Sequence, residues 1–206
     1  MPGIESAKTN KLLFHLTKVD NFRSIVREGL LPRRVIEEKR IGFSNVADMR
    51  IIDKRTIFDL DCYVPFHFHP YSAFDVVVKN TYDAKRMIYL CIYRDYARAN
   101  GYKILPMHPL SMANCQLYEY DEGFEQIDWD TLTRKNDPSE YAKEVKMAEC
   151  LTDHAVFIDE LASIFVPSII IKNEIIRIME EEGVPKDNQP IIYEQPKWFD
   201  NYGSEF

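Results

Sequence analysis

Met87–Tyr93, MIYLCIY, decides the fold. Apolar and aromatic side chains occupy both parities of this run, which predicts a strand at the centre of a sheet. Toward the N-terminus, Leu12–Thr17 (LLFHLT) is a second strand-like run, and Asp20 is positioned to cap a helix through Phe22, Ile25 and Val26 that stops at Gly29. The polar residues His15, Thr17 and Lys18 gather where this strand meets the helix N-terminus, a place that favours anions. Pro32–Ile41 is basic and partly helical. Ser44 or Asn45 can cap a further helix, Val46–Lys54, which brings Arg50 and Arg55 near one another. Cys62–His69 (CYVPFHFH) alternates Tyr63, Pro65 and His67 with Val64, Phe66 and Phe68, the period of a strand, and Pro65 predicts an edge position or a bulge because it has no N–H to donate. His67 and His69 have a spacing that can bind metal, but no acidic or cysteine partner accompanies them, so no metal is expected.

Toward the C-terminus, Asp95–Asn100 is a brief helical turn closed by Gly101. Ile104–Tyr118 is irregular, with Pro106, Pro109 and Asn114 as breakers, and a loop of that length within a domain is more often functional than filler. Asp137, Pro138 and Glu140 have the spacing of a helix start with a capping box. The helix leads into Lys143–Asp153, KEVKMAECLTD, where Glu149 stands at the point at which the helical pattern gives way to an apolar run. A carboxylate beside Ala148, Cys150 and Leu151 must reach solvent or find a donor, since burying it unpaired costs several kcal/mol. Glu149 is therefore either a water-facing residue at a helix edge or a site residue. Ser163–Ile171 (SIFVPSIII) reads as a strand, Asn173 as the cap of a helix Glu174–Glu182 ending at Gly183, and Pro190–Tyr193 as a last strand. Strands broken by short helices, without regular βαβ alternation, predict one α+β domain over residues 1–206 rather than a doubly wound sheet.

Composition narrows the function classes. A hydrophobic fraction of 46% with 13% aromatics excludes disorder. The sequence shows no charged-then-apolar leader and no apolar run long enough to span a bilayer, which predicts a soluble cytoplasmic protein without membrane contact. Cys62, Cys91, Cys115 and Cys150 are widely spaced and form no CxxC pair, as in a reduced protein with buried cysteines. A net charge of −7 argues against a polyanion binder that is positive all over. Charge is unevenly distributed, however: residues 33–55 hold seven Lys/Arg against four acids, and residues 119–160 hold thirteen acids against four bases. This reads either as two solvated faces or as a phosphate-facing basic strip on an acidic body. There is no GxGxxG and no P-loop, and only seven glycines, so a nucleotide here is held by side chains.

Six stretches taken in order say more: LFHLTKVDNFRSIVREGLL (13–31), IIDKR (51–55), YVPFHFHPYS (63–72), IDW (127–129), KMAECL (146–151) and PKWF (196–199). Together they resemble the DarT family of toxins, ADP-ribosyltransferases that use NAD to modify bases in single-stranded DNA. The resemblance implies an ADP-ribosyltransferase-like fold with a central, mainly antiparallel mixed sheet and short flanking helices. It implies NAD as co-substrate with no metal, single-stranded DNA as acceptor, and a cognate antitoxin as partner. Glu149 matches the family's catalytic glutamate and Arg55 its arginine. His15, Thr17, Lys18, Asn21, Tyr63 and Phe66 fall in the stretches expected to hold NAD, and Arg50, Lys54 and Asn114 in those expected to meet the strand. One departure stands out: the family's T-H-x-D-N is T-K-V-D-N here, Thr17 to Asn21, with a histidine retained only at His15. The chemistry itself asks for a carboxylate, because positive charge develops on the ribose as nicotinamide leaves. RNA or protein as acceptor, or a non-catalytic NAD or nucleic-acid binding module, are the alternatives, and the base modified is left open.

Overall fold

The structure, a computed structural model, describes residues 4–46, 49–108 and 116–200. Strand β3 (Met87–Tyr93) lies between β1 (Leu12–Lys18) and β7 (Ser163–Val166), and six of its seven residues are buried. Both parities are apolar because both faces of the sheet are covered. Leu13, Ile88, Leu90 and Ile92 face the main core with Phe68, Trp129 and Ile175, while Phe14, Leu16, Met87, Tyr89 and Cys91 face a second layer closed by Phe199. Trp198 packs there on Phe14 and Phe165, and the buried Lys79 ammonium donates to the Trp198 carbonyl at 2.8 Å, so PKWF is the cover of the second face.

With β2 (Val64–His67), β4 (Lys103–Leu105), β5 (Tyr118–Glu119), β6 (Glu149–Thr152) and β8 (Ile191–Glu194), the sheet runs β5-β4-β6-β2-β1-β3-β7-β8. Every neighbouring pair is antiparallel except β7–β8. Nine short helices flank it among the described residues: α1 (Phe22–Glu28), α2 (Arg33–Glu38), α3 (Met49–Ile57), α4 (Ala73–Thr81), α5 (Arg94–Ala99), α6 (Tyr120–Gln126), α7 (Trp129–Thr133), α8 (Glu140–Val145) and α9 (Ile169–Glu181). This is the α+β architecture the sequence predicts. No helix of the described residues is long and apolar enough to cross a membrane. Cys62, Cys91 and Cys150 are free thiols.

Several local expectations are corrected. Pro65 is on an interior strand, because β2 pairs with β6 along its length but meets β1 only at Phe14–His67. The strands part where Pro65 has no N–H to give, and the His15 ring donates to the Pro65 carbonyl at 2.8 Å instead. β7 stops at Val166 rather than Ile171: the Ser168 hydroxyl accepts from the Ile171 N–H, so Ser168 and not Asn173 caps α9. Ser139, not Asp137, caps α8, and Asp137 instead braces the Ser139 hydroxyl at 2.7 Å. Asp20 lies in a 3-10 turn before α1 and pairs with Arg86. Residues 41–46 are irregular and α3 begins at Met49, so the helix expected from Val46 starts later. Ile104 belongs to β4, not to an irregular stretch.

Gly123 in α6 marks a close approach of a helix to the sheet: an added Cβ would sit 2.4 Å from Ile104 Cβ and 2.8 Å from Tyr118 Cβ. Both are fixed to strand backbone, so Gly123→Ala is expected to destabilise the fold by ~1–3 kcal/mol through overpacking. A urea unfolding midpoint equal to wild type would show that α6 lifts off β4 without penalty.

Candidate active site

The parting of β1 from β2 opens a cavity, and side chains of both parities reach it because the sheet is not continuous there. His15 and Leu16 line it from β1, Tyr63, Pro65 and His67 from β2 and the residue before it, Arg55 from α3, and Glu149 from β6. Arg33 and Ile36 of α2, Phe43, Asn45 and Val46 of the irregular segment, Phe74 of α4 and His108 also line it.

Glu149 is the first residue of β6, held between β2 and β4 by pairing with His67 on one side and Leu105 on the other. Its side chain is 5% exposed and that of Arg55 is 13% exposed. One guanidinium nitrogen of Arg55, Nη1, donates to both carboxylate oxygens at 2.8 Å, and Nη2 reaches the Leu60 carbonyl at 3.4 Å. The Leu60 carbonyl is in reach because α3 ends in a tight return, with Asp59 left-handed at φ 56° and a 3-10 turn over Leu60–Cys62. A buried carboxylate with this partner is neither the water-facing glutamate of the plain reading nor an unpaired charge. Removing either member leaves the other uncompensated in a poorly hydrated site.

His15 and His108, beside the pair, are uncharged. Burial, with His67 and Arg55 adding repulsion, lowers His15 from its ordinary 6.5 to about 4, although its bond to the Pro65 carbonyl works the other way. Burial likewise lowers His108 to about 4, with Glu149 opposing. In the neutral His15 ring Nδ1 carries the proton given to Pro65, which leaves Nε2 as an acceptor. The His67 ring stands 3.3 Å from the Ala148 carbonyl, beside Glu149, and tilts against Phe74. The chamber therefore offers a fixed cation–anion pair beside two neutral imidazoles, His15 and His108, and aromatic walls. It can hold a cationic ring and a sugar beside the Glu149 carboxylate, with Arg33 in the wall available to phosphate.

Of the residues singled out in the sequence, Glu149, Arg55, His15 and Tyr63 converge on this cavity. Phe66 does not line it: it is fully buried in the main core, against Tyr102. Thr17, Lys18 and Asn21 do not line it either; Asn21 donates to Thr17 and to the Ser44 carbonyl, and Lys18 donates to Ser44 and Asn45. Lys54 lies over the Phe58 ring at 5.7 Å. Arg50 falls within α3 but its side chain lies outside the described residues, as does Asn114 altogether. Three of the seven cations of the basic strip are paired with acids, Arg33 with Glu37, Arg34 with Asp59 and Asp61, and Arg55 with Glu149. Among the described residues the group of metal-binding dimensions is Asp59, Asp61 and Cys62, whose carboxylates are engaged by Arg34. Sequence reasoning missed His108, Phe43 and Phe74. The sole signal for His108 was its place in the irregular stretch after β4.

A family model described as "ssDNA thymidine ADP-ribosyltransferase, DarT" matches residues 14–200, nearly the whole chain and every element of the cavity. The chain belongs to the DarT family. No curated protein sequence matches it. Among solved structures it is similar to Thermus sp. 2.9 DarT in complex with ADP-ribosylated ssDNA, with a TM-score of 0.77, 20% identity, and 92% of this chain and 96% of that one covered. The same Thermus protein in complex with NAD+ gives a TM-score of 0.72 at 18% identity, covering 92% and 98%. Thermosipho africanus DarTG in complex with ADP-ribose gives 0.76 at 18% identity, covering 92% of this chain and 51% of that one. At these identities the structural likeness speaks for the DarT fold, and the family model for membership.

Proposed function

We propose that this chain transfers ADP-ribose from NAD to a thymidine base in single-stranded DNA, with Glu149 and Arg55 as its catalytic pair, and that it is the toxin of a toxin–antitoxin pair. The single observation that carries the reading is the buried Arg55–Glu149 contact at the cavity of a DarT-family chain. The wall chemistry fits NAD: aromatic Tyr63, Phe43 and Phe74 suit a flat ring, Arg33 suits phosphate, and neutral His15 offers an acceptor for a hydroxyl. NAD supplies the bond between nicotinamide and ribose whose breaking leaves positive charge on the sugar.

The chain's residues do the rest. Glu149 accepts a hydrogen bond from a ribose hydroxyl, orients the sugar and stabilises the charge that develops on it. When the base attacks, Glu149 takes its proton. Arg55 keeps the carboxylate aimed, and its remaining donors can polarise a carbonyl of the incoming base. Burial of the pair excludes water, the competing acceptor.

Purified protein incubated with NAD and single-stranded oligonucleotides, each rich in one base, is expected to yield an ADP-ribose adduct on the thymidine-containing strand, read by mass spectrometry. Adduct on RNA or protein alone would redirect the acceptor. NAD binding without any transfer would make the chain a binding module. A cognate antitoxin is expected to relieve toxicity on co-expression.

A further inference from the structure

Residues 41–46 form a wall of the cavity through Phe43, Asn45 and Val46, yet belong to no helix or strand. What fixes them to the sheet is a small set of bonds from the end of β1. The Asn21 carboxamide reads the Ser44 backbone like a strand partner: Oδ1 accepts from the Ser44 N–H at 2.8 Å, and Nδ2 donates to the Ser44 carbonyl at 3.1 Å. Nδ2 also donates to the Thr17 hydroxyl at 3.1 Å, which fixes the rotamer of a side chain that is 2% exposed. Beside it the Lys18 ammonium donates to Ser44 Oγ at 3.0 Å and to the Asn45 carbonyl at 3.2 Å, and stands 4.2 Å from the centre of the Tyr82 ring. The charge of Lys18 is thus met by two oxygens and a ring face.

We propose that Thr17, Lys18 and Asn21 form a latch that positions residues 41–46 against the NAD-binding cavity, and that they set affinity for NAD without touching it. This rests on the function proposed above. A lysine is suited to the site held by histidine in the T-H-x-D-N pattern because its long stem carries three donors to the two oxygens. Losing the latch removes binding shared equally by ground state and transition state, which raises KM and leaves kcat in place.

The test compares wild type with Lys18→Met, Lys18→Arg and Asn21→Ala in two assays. In steady-state ADP-ribosylation of a thymidine-containing oligonucleotide, Lys18→Met and Asn21→Ala are expected to raise the KM for NAD by ~10-fold, with kcat within about twofold of wild type and partial recovery in Lys18→Arg. In limited trypsin digestion without NAD, cleavage after Lys39 and Arg40, both exposed, is expected to speed up in the same two variants. Should buried Asn21→Ala fail to fold, Lys18→Met on the partly exposed side of the latch still decides. A fall in kcat at unchanged KM, or digestion as slow as wild type, overturns the latch. If wild type itself transfers nothing, the proposed function fails, and the digestion rates alone then judge the latch.

Discussion

Replacing Glu149 with glutamine lowers the rate of ADP-ribosyl transfer by ~10²–10⁴, the scale of a positioned proton-transfer group, and destabilises the fold less than alanine does. Glutamine fills the same volume and keeps a carbonyl oxygen for Arg55 Nη1, which donates to both glutamate oxygens at 2.8 Å. What it loses is the negative charge facing the sugar and the capacity to accept a proton. Alanine behaves differently. It leaves the guanidinium of a residue 13% exposed without its partner, so Glu149→Ala loses ~3–5 kcal/mol of stability in addition to activity. A water-facing glutamate at a helix edge would make Glu149→Ala structurally silent, and the ion pair is the reason it is not. Product formation by mass spectrometry, with thermal unfolding of both variants, separates the two effects. Full activity in Glu149→Gln would remove this carboxylate from the mechanism.

Acid is the second large effect. Burial holds His15 and His108 near pKa 4 and His69 near 3, whereas the same side chains in the unfolded chain titrate near 6.5. Between those values the unfolded state binds more protons than the folded one, so stability falls as pH falls. The full contribution is present above about pH 6.5 and is lost progressively as pH drops toward 4. Each pKa unit corresponds to ~1.4 kcal/mol, and three histidines shifted by two units or more make the loss several kcal/mol, a large part of a typical domain's stability. The half-buried carboxylates held low by local hydrogen bonds, Asp128 and Asp137, have ordinary values near 3.8 and enter only below this window. Thermal melts are therefore expected to be flat from pH 8 to 6.5 and to fall steadily from there to pH 4. His108→Gln should shallow the slope. A melting temperature constant from pH 7 to 5 would mean that these rings are not kept neutral by burial.

The sequence by itself determined the elements and the chemistry on offer. The apolar runs at Leu12–Thr17 and Met87–Tyr93 became β1 and β3 because a strand covered on both faces has to be apolar at both parities. Glu149 could be located at an element boundary from its neighbours alone, and six ordered motifs sufficed to point to the DarT family. Capping was less legible. Ser168 and Ser139 won over Asn173 and Asp137 because a cap is chosen by which side chain meets free N–H groups, and several candidates within a turn share the same composition. Tertiary structure alone decided the site. Arg55 and Glu149 are 94 residues apart, and no local preference encodes their meeting; it depends on β6 lying beside β2 and on the tight return after α3. The parting of β1 from β2 at Pro65 opened the cavity, sent Phe66 to the core and brought in His108. Thr17, Lys18 and Asn21 carry donors and acceptors fit for a nucleotide, but Lys18 and Asn21 are engaged by Ser44 and Asn45 and Thr17 by Asn21, because hydrogen-bonding capacity is written in the sequence while the partner is set by which segments fold into reach.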